Sequence, residues 1–218
     1  MQEYQNERHQ ALRRIQRFMD QYDSSLGTLN TSRPRAELDE LVSALDALVV
    51  EQRVATADHA RWVLVKHARR HELKRDHMHP ISTIARAYLH ATPEIGDLAP
   101  RLEHGSDTAL LAAASAMVAS AAQHRAAFAR QQLSGRFIQQ LLAAAAAVAE
   151  AVREQAKSQE RRSAAGAEVA RVLTEAATLV PVLSALVELR IRCDVALLAA
   201  WRAAKRVRAA ARSEPAAA

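Results

Sequence analysis

Four histidines lie close together in the stretch HELKRDHMHP and just before it: His67, His71, His77 and His79. His67 and His71 are four residues apart, so on a helix they share a face and could share a metal ion. The remaining ligands would come from the other two histidines, Glu72 or Asp76, but Pro80 is expected to end regular helix here. Arginines and lysines surround the cluster, and their positive field opposes a bound cation. We therefore predict a solvated, basic helix end that holds no metal.

The motifs of common enzyme classes are absent from the sequence. No Glu-x-x-His occurs, although di-iron sites in helical bundles use two of them. His71-Glu72 is followed by Arg75 where a zinc protease has its second histidine. With only 5 glycines, the chain has neither Gly-x-Gly-x-x-Gly nor Gly-x-Ser-x-Gly. The lone cysteine, Cys193, lies in an apolar helical pattern that predicts a buried thiol. We expect a protein that is not an enzyme and uses no cofactor.

Two other histidines fall on apolar stripes. His59 lies on the stripe of a long predicted helix, and His124 lies on that of a later one. Histidines in such positions are more often hydrogen-bonded core residues than metal ligands. We predict hydrogen bonds for both, either to each other or to other side chains.

The elements that carry these side chains are all predicted to be helices. Half of the residues are hydrophobic, many of them alanine, and apolar side chains recur every three or four residues in each long segment. One long stripe runs from Leu38 to Trp62 and predicts that Trp62 is a core residue. We expect one all-α domain over residues 1–218, an elongated antiparallel helical bundle of about five to six helices with no sheet.

Turn residues predict where the first helices end. The first helix is expected over about Glu3 to Tyr22, and the second from Pro34 to about Asp76. Loops are expected at 23–34, 91–106 and 132–136. We expect the loop at 91–106 to be mobile and the tail at 213–218 to fray.

Single residues predict the remaining helix boundaries. Pro80 is expected to break or kink the second helix and to bias His79 away from helical geometry. Asp107 is expected to cap the next long helix. Gly166 and Pro181 are expected to interrupt the later ones, the last of which would reach about residue 211.

The composition suggests a location as well as a fold. The N-terminus MQEYQNERHQ is polar and predicts no signal peptide, and one cysteine fits a reducing compartment. The longest apolar run, Leu141 to Ala149, is shorter than the ~20 residues that a membrane span needs. We therefore expect a soluble, cytoplasmic protein with no membrane span.

Two basic clusters could contact a polyanion, since the net charge is +6. The first comprises Lys66, Arg69, Arg70, Lys74 and Arg75, and the second comprises Arg202, Lys205, Arg206, Arg208 and Arg212. Lys205, Arg208 and Arg212 would share one face of the last helix, with Glu214 as the one acid nearby in sequence. Such a face grips phosphates without reading base sequence. We predict that any DNA binding is weak, sequence-independent and concentrated in the second, C-terminal cluster.

Two stretches resemble a set of bacterial all-helical proteins. These proteins share an RDHM-x-PI-x-x-IAR core, matched by Arg75 to Met78, Pro80, Ile81 and Ile84 to Arg86. The late stretch LLAAWRAAKRV (197–207) is also similar. The resemblance implies a bacterial origin and a single helical domain, and it implies no activity, ligand or catalytic residue.

The leading interpretation is a non-enzymatic helical bundle that acts through protein–protein contacts as a homo-oligomer. Long heptad-like helices rich in small apolar residues favour it. The alternative is a nucleic-acid-binding protein of the nucleoid-associated kind, using the two basic clusters. A weaker third is an amphipathic coat on a lipid or polymer inclusion, as phasin-like helical proteins form.

Overall fold

The computed structural model describes residues 3–101 and 105–207, and within these ranges it contains helices, turns and no strand. The α-helices are α1 (Glu3–Gln21), α2 (Asp23–Leu26), α3 (Arg33–Glu72), α4 (His79–Tyr88), α5 (Ile95–Leu98), α6 (Asp107–Gln123), α7 (Arg125–Arg130), α8 (Phe137–Ile191) and α9 (Val195–Ala204). A 3-10 segment, Gly27–Thr31, follows α2, and a π-helical segment, Leu73–Met78, joins α3 to α4. The predicted all-α class is confirmed.

The chain divides into two compact units. We call residues 1–56 and 161–218 the terminal unit, and residues 57–160 the central unit. The long helices α3 and α8 each contribute residues to both units. The single domain expected over residues 1–218 stays a prediction.

The core of the terminal unit is built around Trp201. Its side chain is fully buried, and its ring centroid lies 5.2 Å from that of Phe18 in α1. Leu12, Ile15 and Met19 are buried on the predicted stripe of α1, which begins where expected. This tryptophan lies on α9, ten residues long, so a short helix supplies the largest side chain of this core.

Trp62 is not the core residue that the stripe predicted. Its side chain is half-buried, and the guanidinium carbon of Arg61 lies 5.1 Å from its ring centroid. The buried residues of α3 stop at Val49, and the fully covered edge runs through Leu38, Val42 and Leu45. Leu38 and Leu45 of the predicted stripe thus lie on the buried edge, whereas its members beyond Val49, up to Trp62, are only partly covered.

The central unit has its own hydrophobic core, and a serine caps the N-terminus of its helix α6. Leu73, Met78 and Phe128 are buried in this core, and the ring centroid of Phe128 lies 5.3 Å from that of Phe137. Ser106 caps α6 in place of the predicted Asp107, because its side chain accepts a hydrogen bond from the amide of Ala109. Asp107 is instead the first helical residue.

The chain stays helical through Pro80, and His79 is not biased away from helical geometry as predicted. A kink at this proline stays a prediction. His79 has helical dihedral angles (φ −61°, ψ −46°), and Pro80 lies in the first turn of α4. The π-helical segment immediately before Pro80 changes the hydrogen-bond register. Pro80 therefore lies in the first turn of α4, where a backbone N–H has no acceptor within the helix, so the missing N–H of proline costs little. Leu73 and Met78, at the two ends of this segment, are both buried.

Helix α8 is neither broken at Gly166 nor split at Pro181, the two residues that were expected to interrupt it, and a kink at Pro181 stays a prediction. Gly166 and Pro181 lie inside its 55 residues, and the chain turns instead at residues 192–194, where Asp194 caps α9. Cys193 falls in this turn and is exposed, so the predicted burial of its thiol is wrong. Helix α9 ends at Ala204, well before residue 211.

The two predicted long loops contain short helical turns. The segment 23–34 holds α2 and the 3-10 segment, with Leu26 fully buried. The segment 91–106 holds α5, with Leu98 fully buried and Asp97 accepting a hydrogen bond from Ser120. Residues 102–104 and the tail at 213–218 lie outside the described residues, so the predicted loop mobility and fraying stay predictions.

Replacing Gly166 with alanine should stabilise the chain. A Cβ at this position would meet only the amide nitrogen of the Gln52 side chain, at 3.4 Å. Alanine restricts the unfolded chain and fits helix, so we expect the free energy of unfolding to rise by about 0.5–1 kcal/mol. Urea unfolding followed by circular dichroism measures the change, with exposed Ala167→Gly as the matched reverse control. A loss of stability in Gly166→Ala would show that α8 is bent or broken here.

Candidate functional site

The histidine cluster does not assemble a ligand set. His67, His71 and His79 are exposed, and His77 is half-buried. Within residues 3–101 and 105–207, no three histidine, cysteine, aspartate or glutamate side chains are placed to hold a metal ion. The absence of a metal from the cluster stays a prediction for elemental analysis of the purified protein.

The first basic cluster is largely paired with acids of its own unit. Lys66 Nζ lies 3.1 Å from Asp107 Oδ2, and Arg70 contacts Oδ1 of the same carboxylate. Arg69 pairs with Glu72. These pairs reduce the field that a phosphate would meet, so this cluster is a weak candidate for a polyanion surface.

The pair at the end of this cluster is exposed. Arg75 Nε donates to Asp76 Oδ1 at 2.6 Å. That hydrogen bond lowers the pKa of the Asp76 carboxyl below its ordinary value. Asp76 is thus held as a carboxylate beside Arg75, and the pair adds little net charge.

The two histidines on apolar stripes are hydrogen-bonded as predicted, but not to each other. His59 Nδ1 lies 3.2 Å from Ser158 Oγ, and His124 Nε2 lies 3.3 Å from Glu94 Oε2. Ser158 is buried within α8, and both histidines are half-buried. Their contacts are structural links inside the central unit.

The second basic cluster is only partly free. Lys205 Nζ donates to Glu188 Oε1 and to Ser184 Oγ, each at 2.6 Å. The hydrogen bond from Lys205, with another from Ser184, lowers the pKa of the Glu188 carboxyl. The expectation that Glu214 is the only nearby acid is therefore wrong, since Glu188 neutralises Lys205.

The predicted helical face of this cluster extends beyond α9. Lys205 is the C-cap of α9, so the described helix ends before the spacing to residues 208 and 212 can form a face. Arg202 and Arg206 are exposed. Arg208 and Arg212 lie outside the described residues, and their proposed role stays a prediction.

Arg206 lies at the same cleft as two arginines of α1, Arg14 and Arg17, and the sequence did not predict this proximity. Arg14 donates to the backbone carbonyl of Ala204 at 3.4 Å and to that of Arg206 at 2.7 Å. Arg17 and Arg206 line the same cleft, whose cavity volume is about 530 Å³. The signal available in the sequence was that Arg14 and Arg17 lie off the apolar stripe of α1, on its polar side.

An exposed apolar stripe lies on α8 in the terminal unit. Val182, Leu186 and Leu189 are 49%, 38% and 66% exposed, and their spacing of four and three places them on one helix face. Thr178 lies one turn before Val182 and is also exposed. Apolar side chains repeated on one exposed face are the pattern of a helix–helix interface.

A groove beside this stripe is lined by α3 and α8. Leu41 of α3 and Leu179 and Val182 of α8 supply apolar lining, and the cavity volume is about 530 Å³. Glu40 and Glu175 also line it. Glu37 and Arg171 line it as well, so the groove combines apolar side chains with three acids and one base.

The charges along the stripe are unequal at its two ends. Glu175 lies near its start and pairs with Arg171, whereas exposed Glu40 has no basic partner within the described ranges. Arg190 follows its end, four residues after Leu186, and likewise has no acidic partner among the residues that the structure describes. One end of the stripe is acidic and the other is basic.

Helix α8 also meets a length and composition criterion for crossing a membrane. An 18-residue window in it has a mean hydropathy of 1.7, and 33% of that window is buried. A core helix of a soluble protein passes the same test, so one such helix is weak evidence. The expected absence of a membrane span stays a prediction.

No protein-family model, curated protein or solved structure matches this chain. The similarity to bacterial helical proteins that carry the RDHM-x-PI-x-x-IAR core therefore stays a prediction.

Proposed function

We propose that this protein is a non-enzymatic helical protein that acts through protein–protein contacts, and that it associates with a second copy of itself. The observation that carries the proposal is the exposed stripe Val182, Leu186 and Leu189 on α8. Water-exposed leucines in a row are unfavourable for a monomer, and a partner helix would remove them from water. An elongated antiparallel bundle of five to six helices, a cytoplasmic location and a bacterial origin are part of the proposal.

The charges support a second copy in antiparallel orientation. The midpoint between Glu175 and Arg190 falls between Val182 and Leu183, at the N-terminal end of the exposed stripe. An antiparallel twofold pairing about this point would bring Glu175 of each copy to Arg190 of the other. A parallel pairing would place like charges together, which is unfavourable.

Charge insertion into the stripe should abolish self-association. A Leu186→Glu, Leu189→Glu double variant would place carboxylates where the second copy packs, and burying an unpaired charge is costly. We expect sedimentation velocity to show a smaller species for this variant than for wild type at the same concentration. The matched control is Val54→Glu, since Val54 is 65% exposed on α3 and lies off the stripe.

Charge reversal tests the orientation separately. Arg190→Glu should weaken association, and adding Glu175→Arg should restore part of it because the pair is rebuilt with opposite signs. Association that survives the double leucine variant unchanged would move the interface to another surface.

Nucleic-acid binding is the alternative function, favoured by one observation. Arg14 and Arg17 join Arg206 on one surface of the terminal unit, so the C-terminal positive field is larger than the sequence indicated. Phosphate contacts of this kind would lose affinity steeply with salt. Titration of a labelled DNA duplex at two salt concentrations separates this function from self-association.

A further inference from the structure

The cleft between α1 and α9 has the composition of an anion site. Three arginines line it, namely Arg14, Arg17 and Arg206, and none of its lining residues within 3–101 and 105–207 is acidic. Folding has thus brought three positive charges to one concave surface, where they repel each other. A bound anion would remove that repulsion, and a concave surface concentrates the field.

The arginines differ in how firmly they are held. Two donors of Arg14 are occupied by the carbonyls of Ala204 and Arg206, which fixes its guanidinium at the cleft. Arg17 and Arg206 are exposed, and no acidic side chain within residues 3–101 and 105–207 pairs with either. Each guanidinium offers five N–H donors in a planar fork, which matches the oxygens of a phosphate.

Apart from Gln21, the rest of the cleft lining is aromatic or alanine. Phe18 and Tyr22 line it, with their ring centroids 4.8 Å apart, and alanines of α9 form the facing wall. A volume of about 530 Å³ lies in the range that binds a small organic molecule. A bare phosphate would leave most of this space and the apolar wall unused.

We propose that this cleft binds a small organic phosphate, a phosphate monoester that carries one planar or apolar group. The phosphate oxygens accept hydrogen bonds from Arg17 and Arg206, next to the fixed guanidinium of Arg14. The planar group lies against Tyr22 and the alanine wall. This site is separate from the α8 stripe and does not depend on self-association.

Calorimetric titration of the full chain at low salt tests the site with defined probes. We expect phenyl phosphate to bind saturably with one site per chain, inorganic phosphate to bind more weakly, and phenol not to bind. Arg17→Gln and Arg206→Gln should each weaken phenyl phosphate binding by about tenfold or more, since each loses a charge-assisted hydrogen bond. Arg202→Gln is the matched control, because Arg202 is an exposed arginine of α9 that does not line the cleft.

Filling the cleft distinguishes a built site from a diffuse positive field. Ala203→Leu adds bulk to the exposed alanine wall, so it should weaken phenyl phosphate binding far more than inorganic phosphate binding. Circular dichroism checks that each variant is folded, and the Leu186→Glu, Leu189→Glu variant should bind phenyl phosphate as wild type does.

Three outcomes would overturn the proposal. The first is no saturable binding of phenyl phosphate to folded wild type. The second is an equal loss in Arg202→Gln and the two cleft variants, which would indicate a general charge effect. The third is a duplex DNA that binds through Arg17 and Arg206 while phenyl phosphate does not, which would assign these arginines to nucleic acid.

Discussion

The Trp201→Ala variant should lose about 3–5 kcal/mol of its free energy of unfolding, the usual cost of removing a buried tryptophan. The Trp201 side chain is fully buried, and its ring centroid lies 5.2 Å from that of Phe18. Its Nε1–H donates a hydrogen bond to Ser184 Oγ at 3.3 Å. The substitution leaves a cavity and removes a donor from Ser184, which also contacts Lys205. A loss of this size is a large part of a domain's net stability of about 5–15 kcal/mol.

Urea unfolding followed by circular dichroism measures this loss, with Trp62→Ala as the matched control. Trp62 is half-buried with Arg61 over its ring, so its removal should cost well under half as much. If Trp62→Ala lowered the free energy of unfolding more than Trp201→Ala did, Trp62 would be a core residue as the sequence predicted. Trp201 would then not be at the centre of the core.

Neutralising Asp107 should destabilise the central unit. Its carboxylate binds Lys66 and Arg70 together, and the three side chains are 23%, 16% and 21% exposed. Asp107→Asn keeps the shape but leaves two partly buried cations without their counterion. It also removes an acid from the first turn of α6, where the helix dipole favours negative charge. We expect a loss of about 1–3 kcal/mol in the free energy of unfolding.

The control for Asp107 is an exposed ion pair on α3, the helix that carries its partners Lys66 and Arg70. Arg69 and Glu72 are 50% and 43% exposed, so Glu72→Gln should cost only about 0.5 kcal/mol. Urea midpoints of the two variants give the comparison. Equal urea midpoints would mean that the ion pairs of Asp107 with Lys66 and Arg70 contribute no more to stability than the exposed pair does.

Local sequence pattern predicted the class of the fold and the first helix well. The apolar spacing of Leu12, Ile15 and Met19 is local information, and the structure buries all three. Pro34 likewise lies in the first turn of α3, where the sequence placed the start of the second helix. Helix type and period depend on neighbouring residues, so they can be read from one chain.

The positions of the helix breaks could not be predicted in the same way. Gly166 and Pro181 are locally unfavourable in a helix, yet buried neighbours such as Val169 and Leu183 hold α8 together there. Pro80 was tolerated because the preceding residues adopt a π-helical register. Tertiary packing thus outweighs local propensity at Gly166 and Pro181, and a local change of helical register accommodates Pro80.

The site residues depended most on contacts distant in sequence. Arg14 and Arg206 are 192 residues apart, and the pattern around either one gives no reason to join them. The turn at 192–194, which the sequence did not predict, brings Lys205 to Glu188. The sequence therefore indicated the basic character of this region and not the cleft that it forms.

The central claim is that the protein associates with itself through α8, and the most direct measurement is the mass of the wild-type chain in solution. Sedimentation equilibrium over a wide range of concentrations would give it, at moderate salt and without added ligand. We expect a mass that rises with concentration from one chain towards two. A mass of a single chain at the highest concentration would contradict it, and the exposed stripe would then need another partner.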